Sequence, residues 1–160
     1  MAETDIQDKL VRYVRDAHAM EQNVMGMLDS MISTTEDPQI KQDLQHHKQE
    51  TQAQIDRLAS RLEVLGEDTS TIKDVGAVMS ALVKGVGDVV RTDKPGQNAR
   101  DGFVTEHLEI ASYELLERLA QRAGDEETAE VARQNREEEE VMAAKIAGTW
   151  DKVIDLTLAQ

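Results

Sequence analysis

The sequence predicts an all-α protein, a four-helix bundle whose second and third helices are joined by a long helical crossover. Three observations carry this. Aromatic residues make up only 2% of the 160 residues, and Ala, Leu, Glu, Gln, Arg and Met, all good helix formers, dominate the rest. Apolar residues recur at spacings of three and four over four long stretches, the repeat of one helix face. Turn signals between those stretches are short, short and long, which gives two hairpins and one crossover.

Helix A is expected over about residues 5–33, with Thr4 or Asp5 as its cap and Leu10, Val14, Ala17, Val24, Leu28 and Met31 as its stripe. Asp37 before Pro38 is a good start for helix B, over about 38–65, with Ile40, Leu44, Leu58, Leu62 and Leu65 inward and Gly66 ending it. Residues 69–97 form the crossover. Ile72, Val75, Val78, Met79, Leu82, Val83, Val86 and Val90 give it helical spacing, Gly76, Gly85 and Gly87 weaken it, and Thr92 to Gly96 close it as a loop. Helix C is expected over about 98–123, with Val104, Leu108, Ala111, Leu115 and Leu119 inward. Helix D follows over about 125–156, with Ala132, Met142, Ile146 and Val153 inward. Two hairpins joined by one long crossover are ferritin-like bundle topology, and residues 1–160 read as a single such domain.

Charge and composition exclude several functions. The net charge of −14 leaves no basic face for nucleic acid, and an anionic membrane surface would repel the chain. The most apolar stretch, Val75 to Val90, is too short and too polar to span a bilayer. The absence of cysteine rules out disulfides and thiolate ligands. The first ten residues lack the features of a signal peptide, so a cytoplasmic location is expected.

The informative residues are those that interrupt the stripes. Glu21 falls between Ala17 and Val24 on helix A, and His47 between Leu44 and Leu58 on helix B, with Glu50 and Gln54 following. Asn135 and Glu139 fall between Ala132 and Met142 on helix D, and Glu109 lies one residue off the helix C stripe. All sit near the middle of their helices, so a matched bundle would gather them into one polar layer. Unpaired buried carboxylates cost several kcal/mol or take up protons, and the stripes carry no Lys or Arg to offset them. Two divalent cations would neutralise four glutamates, and an oxygen-rich set with imidazole suits iron, with manganese as the alternative. The familiar di-iron bundle pattern includes Glu-x-x-His, whereas this chain carries the reverse, His18-x-x-Glu21 and His47-x-x-Glu50. Helix C adds Glu106-x-x-Glu109, and helix D a run from Glu137 to Glu140 in which one or two members, Glu139 or Glu138, can point inward. On this reading the metal candidates are Glu21, Glu50, Glu109, Glu139, His47, His18, Glu106 and Glu138. Glu21 and Glu109 are terminal, and Glu50 and Glu139 are candidates to bridge. A core histidine paired with a carboxylate, and a glutamate run on a solvated face, are the plainer readings of His47 and of Glu137 to Glu140.

At these positions the chain resembles the YciE/YciF family of ferritin-like bacterial stress proteins. The matching segments are Ala19-Met20-Glu21-Gln22, His47 through Ile55, Glu106-His107-Leu108-Glu109-Ile110-Ala111-Ser112-Tyr113, and the acidic run at Glu137 to Glu139. The helix C segment also looks like the third helix of rubrerythrin-type di-iron proteins. The resemblance implies a ferritin-like homodimer with a di-metal site between its helices and a part in stress physiology. It leaves open whether the metal turns over with oxygen or peroxide, is only held, or is absent from a structural helical protein.

Overall fold

A computed structural model describes residues 3–67 and 94–159, and they form five helices with no strand among them. These are α1 (Glu3–Thr34), α2 (Pro38–Val64), α3 (Lys94–Ala123), α4 (Glu126–Ala147) and α5 (Trp150–Leu158). Apart from residues 94–97, the crossover expected over 69–97 lies outside the described residues.

Local chemistry sets the turns. Asp37 caps α2 by accepting from the N–H groups of Gln39 and Ile40 at 3.1 and 2.9 Å, and Pro38 opens the helix where no acceptor is needed for its nitrogen. Gly66, with φ +86°, reverses the chain after α2. The N–H of Gly66 bonds to the carbonyl of Glu63, and that of Glu67 to the carbonyl of Leu62, the paired bonds of a left-handed glycine cap. Gly124, with φ +75°, does the same after α3, and the next residue, Asp125, caps α4 through the N–H of Thr128 at 2.9 Å. One glycine and one aspartate therefore make the entire α3–α4 turn. Arg61 ties this end of the bundle together: its guanidinium donates to Thr128 at 2.9 Å and to Asp125 at 3.0 and 3.1 Å, and also pairs with Glu127.

The α1–α2 and α3–α4 hairpins pack side by side, α1 against α3 and α2 against α4, while α5 folds back on α3. Their apolar core is in two pieces. One contains Leu10, Val14, Leu58, Leu62, Tyr113, Leu116 and Ala132. The other contains Val24, Leu28, Met31, Leu44, Met142 and Ile146. Each fully buried leucine contributes roughly 1.5–3 kcal/mol.

Three expectations are corrected here. α3 begins at Lys94, because Pro95 and Gly96 are accommodated in its first turn, where a missing N–H costs nothing. The expected helix D is two helices, since the chain breaks at Gly148 and Thr149, with the Thr149 hydroxyl bonding back to the Ile146 carbonyl at 2.7 Å. Most of the stripe assigned to α3 is turned outward: Val104 and Leu115 are 63% and 55% exposed and Ala111 is exposed too, while Leu119 packs at the edge of the core. The inward face runs Gly102, Glu106, Glu109, Tyr113, Leu116 and Ala120. Hydrophobicity pointed the wrong way because this helix spends much of its buried face on polar residues.

Candidate metal centre

Between the two core pieces lies a polar layer to which all four long helices contribute. α1 supplies Glu21, α2 His47, α3 Glu106 and Glu109, and α4 Glu139, each at most 1% exposed. Two groups form within it: His47, Glu106 and Glu139 in one, and Glu21, Glu109 and Glu139 in the other. In each, one donor atom per residue lies within 4.8 Å of the others. Glu139 belongs to both. In the first group His47 Nε2 is 3.3 Å from Glu106 Oε1 and 3.4 Å from Glu139 Oε2.

Helix periodicity explains who arrives. Glu106 and Glu109 are three apart and share a face. On α2, Gln54 is seven residues beyond His47, two turns and almost the same direction, so it also points inward, fully buried. Its amide donates to Glu139 and, at 3.0 Å, to Glu138. Tyr113, one turn beyond Glu109, donates its hydroxyl to Glu21. These two bonds hold carboxylates of the layer in place from behind.

Three of the expected site residues stand outside the groups. Glu50, three residues from His47, is rotated toward the surface with 28% of its side chain exposed. It contacts His47 Nδ1 at 3.3 Å, so it braces the imidazole from the rear. Glu138 is rotated out of the layer and pairs with Arg57 at 3.0 Å. His18 is buried one turn before Glu21 but joins neither group. Glu106, which the misplaced α3 stripe put off the inward face, is one of the best-buried members. Asn135, one turn before Glu139, is fully buried in the same layer. The Arg61 network was missed, since nothing in the α2 stripe separates Arg61 from an ordinary surface arginine.

The electrostatics are those of crowded acids. Burial, reinforced by mutual repulsion, pushes Glu109 well above the ordinary carboxylate range. Glu139 is raised by burial and by the charges of Glu21 and Glu106. Glu21 is raised by burial, against the opposing hydrogen bond from Tyr113. His47 is the one cationic side chain of the groups. Burial disfavours its charge, but hydrogen bonds to Glu106 and Glu50 outweigh this and raise it to about 11. One imidazolium cannot balance four carboxylates. Neither oxygen of Glu109 meets a hydrogen-bond donor, and one oxygen each of Glu21 and Glu106 is also unpartnered. Such atoms cost about 1–3 kcal/mol apiece unless a proton or a cation satisfies them. By charge, donor type and spacing, the residues fit divalent cations.

The helical architecture defines a ferritin-like four-helix bundle, here with a carboxylate-rich layer across its middle. More particularly, the chain belongs to the family described as a domain of unknown function, DUF892, which matches residues 5–159. In sequence it is 26% identical over 148 residues to Protein YciF of Escherichia coli, covering 88% of this chain and 87% of that protein. The crystal structure of the E. coli stress protein YciF superposes with a TM-score of 0.80 at 23% identity, over 94% of this chain and 97% of that one. A protein from Xanthomonas campestris pv. campestris gives a TM-score of 0.81 at 26% identity, over 97% of each chain. Dps from Thermosynechococcus elongatus gives 0.77 at 16% identity, over 92% and 94%, a likeness of fold alone. The expected kinship with YciF and the ferritin-like fold are both borne out. No helix among the described residues is long and apolar enough to cross a membrane.

Proposed function

We propose that the polar layer holds two divalent cations, iron or manganese, in a cytoplasmic stress-response protein that takes part in metal binding and oxidation by oxygen or peroxide. The observation that carries this is the sharing of Glu139 between two buried three-residue groups, one with a histidine and one of carboxylates alone. His47 and Glu106 would hold one ion, Glu21 and Glu109 the other, with Glu139 between them. When bound, such a pair supplies one-electron redox chemistry at neutral pH. The residues of this chain fix where it occurs. Glu50 aims His47, Gln54 aims Glu139, and Tyr113 aims Glu21, while apolar residues on both sides exclude water.

A second reading has one observation in its favour. His47 as an imidazolium, 3.3–3.4 Å from two carboxylates, partly neutralises the layer without any ion, as a purely structural core would require. Elemental analysis separates the two. Protein purified without chelators, then loaded with Fe(II) under anaerobic conditions, is expected to carry about two ions per chain. It should then oxidise bound Fe(II) on exposure to oxygen or peroxide. A chain that takes up no metal would overturn the proposal and leave a non-catalytic helical stress protein.

A further inference from the structure

A second feature points at the same layer from outside. At the end of the bundle near the α1–α2 turn lies a cavity of about 260 Å³, lined by residues of all five helices. Its walls are apolar and rich in methionine: Met27, Met31, Leu44, Met142 and Ile146. It is larger than the ~150 Å³ apolar cavity that is known to bind benzene. Lys94 lines it at the start of α3, and Glu106, twelve residues on, lines it as well, about 18 Å further along the helix at the usual rise. Glu106 is 1% exposed and has one carboxylate oxygen, Oε2, without a partner.

Gly102, one turn before Glu106, also lines this space. A Cβ there would sit 3.3 Å from Ile146 Cδ1 and 3.9 Å from Met31 Cε, so side-chain atoms at this position would close on the facing wall. Glycine is otherwise a poor residue for the middle of a helix. Its presence lets Ile146 and Met31 approach the α3 backbone closely one turn from the carboxylate, so any larger side chain there would intrude on the inner end of the cavity.

Charge selects the occupant. The outer lining carries Glu36, Asp37 and Asp43 against Lys94 and Lys145, and Lys145 is 3.7 Å from Asp43. The buried Glu106 carboxylate would meet an anionic head with repulsion and a neutral hydrogen-bond donor with attraction. Flexible methionines suit a pliant apolar chain.

We infer that this cavity is a binding site for a medium-chain alkyl molecule with one neutral hydroxyl-type head, the chain lying along Met31 and Ile146 and the head donating to Glu106. It deepens the proposed function by naming the class of molecule brought to the layer. It rests on that reading for the chemistry that follows, and not for the binding.

The test is calorimetric titration of the full-length protein with n-octanol and, separately, with octanoate. Both are run on chelator-treated and on Mn(II)-loaded protein. Octanol is expected to bind both forms saturably at one site, and octanoate to bind the chelator-treated form, where no cation offsets Glu106, at least about tenfold more weakly. Gly102→Leu should weaken octanol about tenfold or more while circular dichroism and metal content stay unchanged. Should Gly102→Leu fail to fold, Gly102→Ala adds only a methyl facing flexible side-chain ends, and it should weaken octanol about two- to fivefold. Absent octanol binding, equal binding of octanoate by the chelator-treated protein, or a Gly102 variant that binds as the parent does would overturn the inference. Octanol binding by a chain that takes up no Mn(II) would keep the cavity and sink the metal centre. Mn(II) uptake without octanol binding would do the reverse.

Discussion

Raising the pH from about 5 to about 9 is expected to lower the melting temperature of the metal-free protein by roughly 5–15 °C, and Mn(II) should remove most of that slope. The sign follows from the layer. Glu21, Glu109 and Glu139 have folded-state pKa values raised by burial above those of the unfolded chain. The native state therefore prefers their protonated forms, and its advantage is lost as pH rises through the raised values. His47 acts in the same direction. Despite burial, its hydrogen bonds to Glu106 and Glu50 raise it from 6.5 to about 11, so its contribution is complete below 6.5 and fades as the pH climbs toward 11. Glu50 opposes them. Its hydrogen bond to His47 lowers it, so its contribution is gained as pH rises through the ordinary carboxylate range and is nearly complete by about pH 5. Above that point the falling terms dominate, by an amount on the order of a few kcal/mol. A bound cation replaces the protons and stabilises the ionised carboxylates. Thermal melts at several pH values, with and without Mn(II), check this. A flat profile for the metal-free protein would mean that water reaches the layer and ionises it without penalty.

Glu139→Gln is expected to abolish binding of both ions, because this one carboxylate serves both groups. The loss should exceed the ~10–100-fold that follows from removing a supporting residue around a metal. Glu50→Ala supplies that comparison. It removes the contact to His47 Nδ1 and an exposed one to His46 at 3.5 Å that lies outside the layer, and affinity should fall by about tenfold. Without metal the Glu139→Gln protein should melt no lower than the parent, since it trades a buried acid for a neutral amide that can still accept from Gln54. Equilibrium titration with Mn(II), paired with thermal melts, reads both effects. If the two variants lost equal affinity, Glu139 would have no special place between the ions.

Much of this architecture was legible in the sequence, for reasons that can be named. On α1 the stripe from Leu10 to Met31 is broken only by Glu21, and the helix buries that whole face with Glu21 at its centre. The caps were equally readable, since Asp37-Pro38 and Gly66 each have one favoured backbone role. α3 defeated the same logic. Its outer face carries Val104 and Leu115, and its inner face carries Glu106 and Glu109. An apolar-inward rule must fail on a helix whose inward positions serve the site. Glu50 was misplaced by a subtler effect. Three residues along a helix is a shared face, but it is also a rotation of about 60°, enough to carry a side chain from the layer to the surface. Gln54, seven residues from His47, has no such offset and reaches Glu139. Which member of the run from Glu137 to Glu140 turns inward depended on helix phase alone, and Glu139 shares the phase of Ala132, Asn135 and Met142.

The division of the core has a consequence for how the molecule comes apart. Leu58, Leu62 and Leu116 lie on one side of the layer, and Val24, Leu28 and Met142 on the other. Across the boundary the metal-free chain has repelling acids where a continuous core would have cohesion. Its two ends should behave as separate opening units. Amide hydrogen exchange should show lower protection around Leu28 and Ile146, beside the end cavity, than around Leu58 and Leu62. Cation binding should bring the two into line, and identical protection in the metal-free protein would count against this. A bundle built this way carries a record of the local metal supply in the cooperativity of its own unfolding.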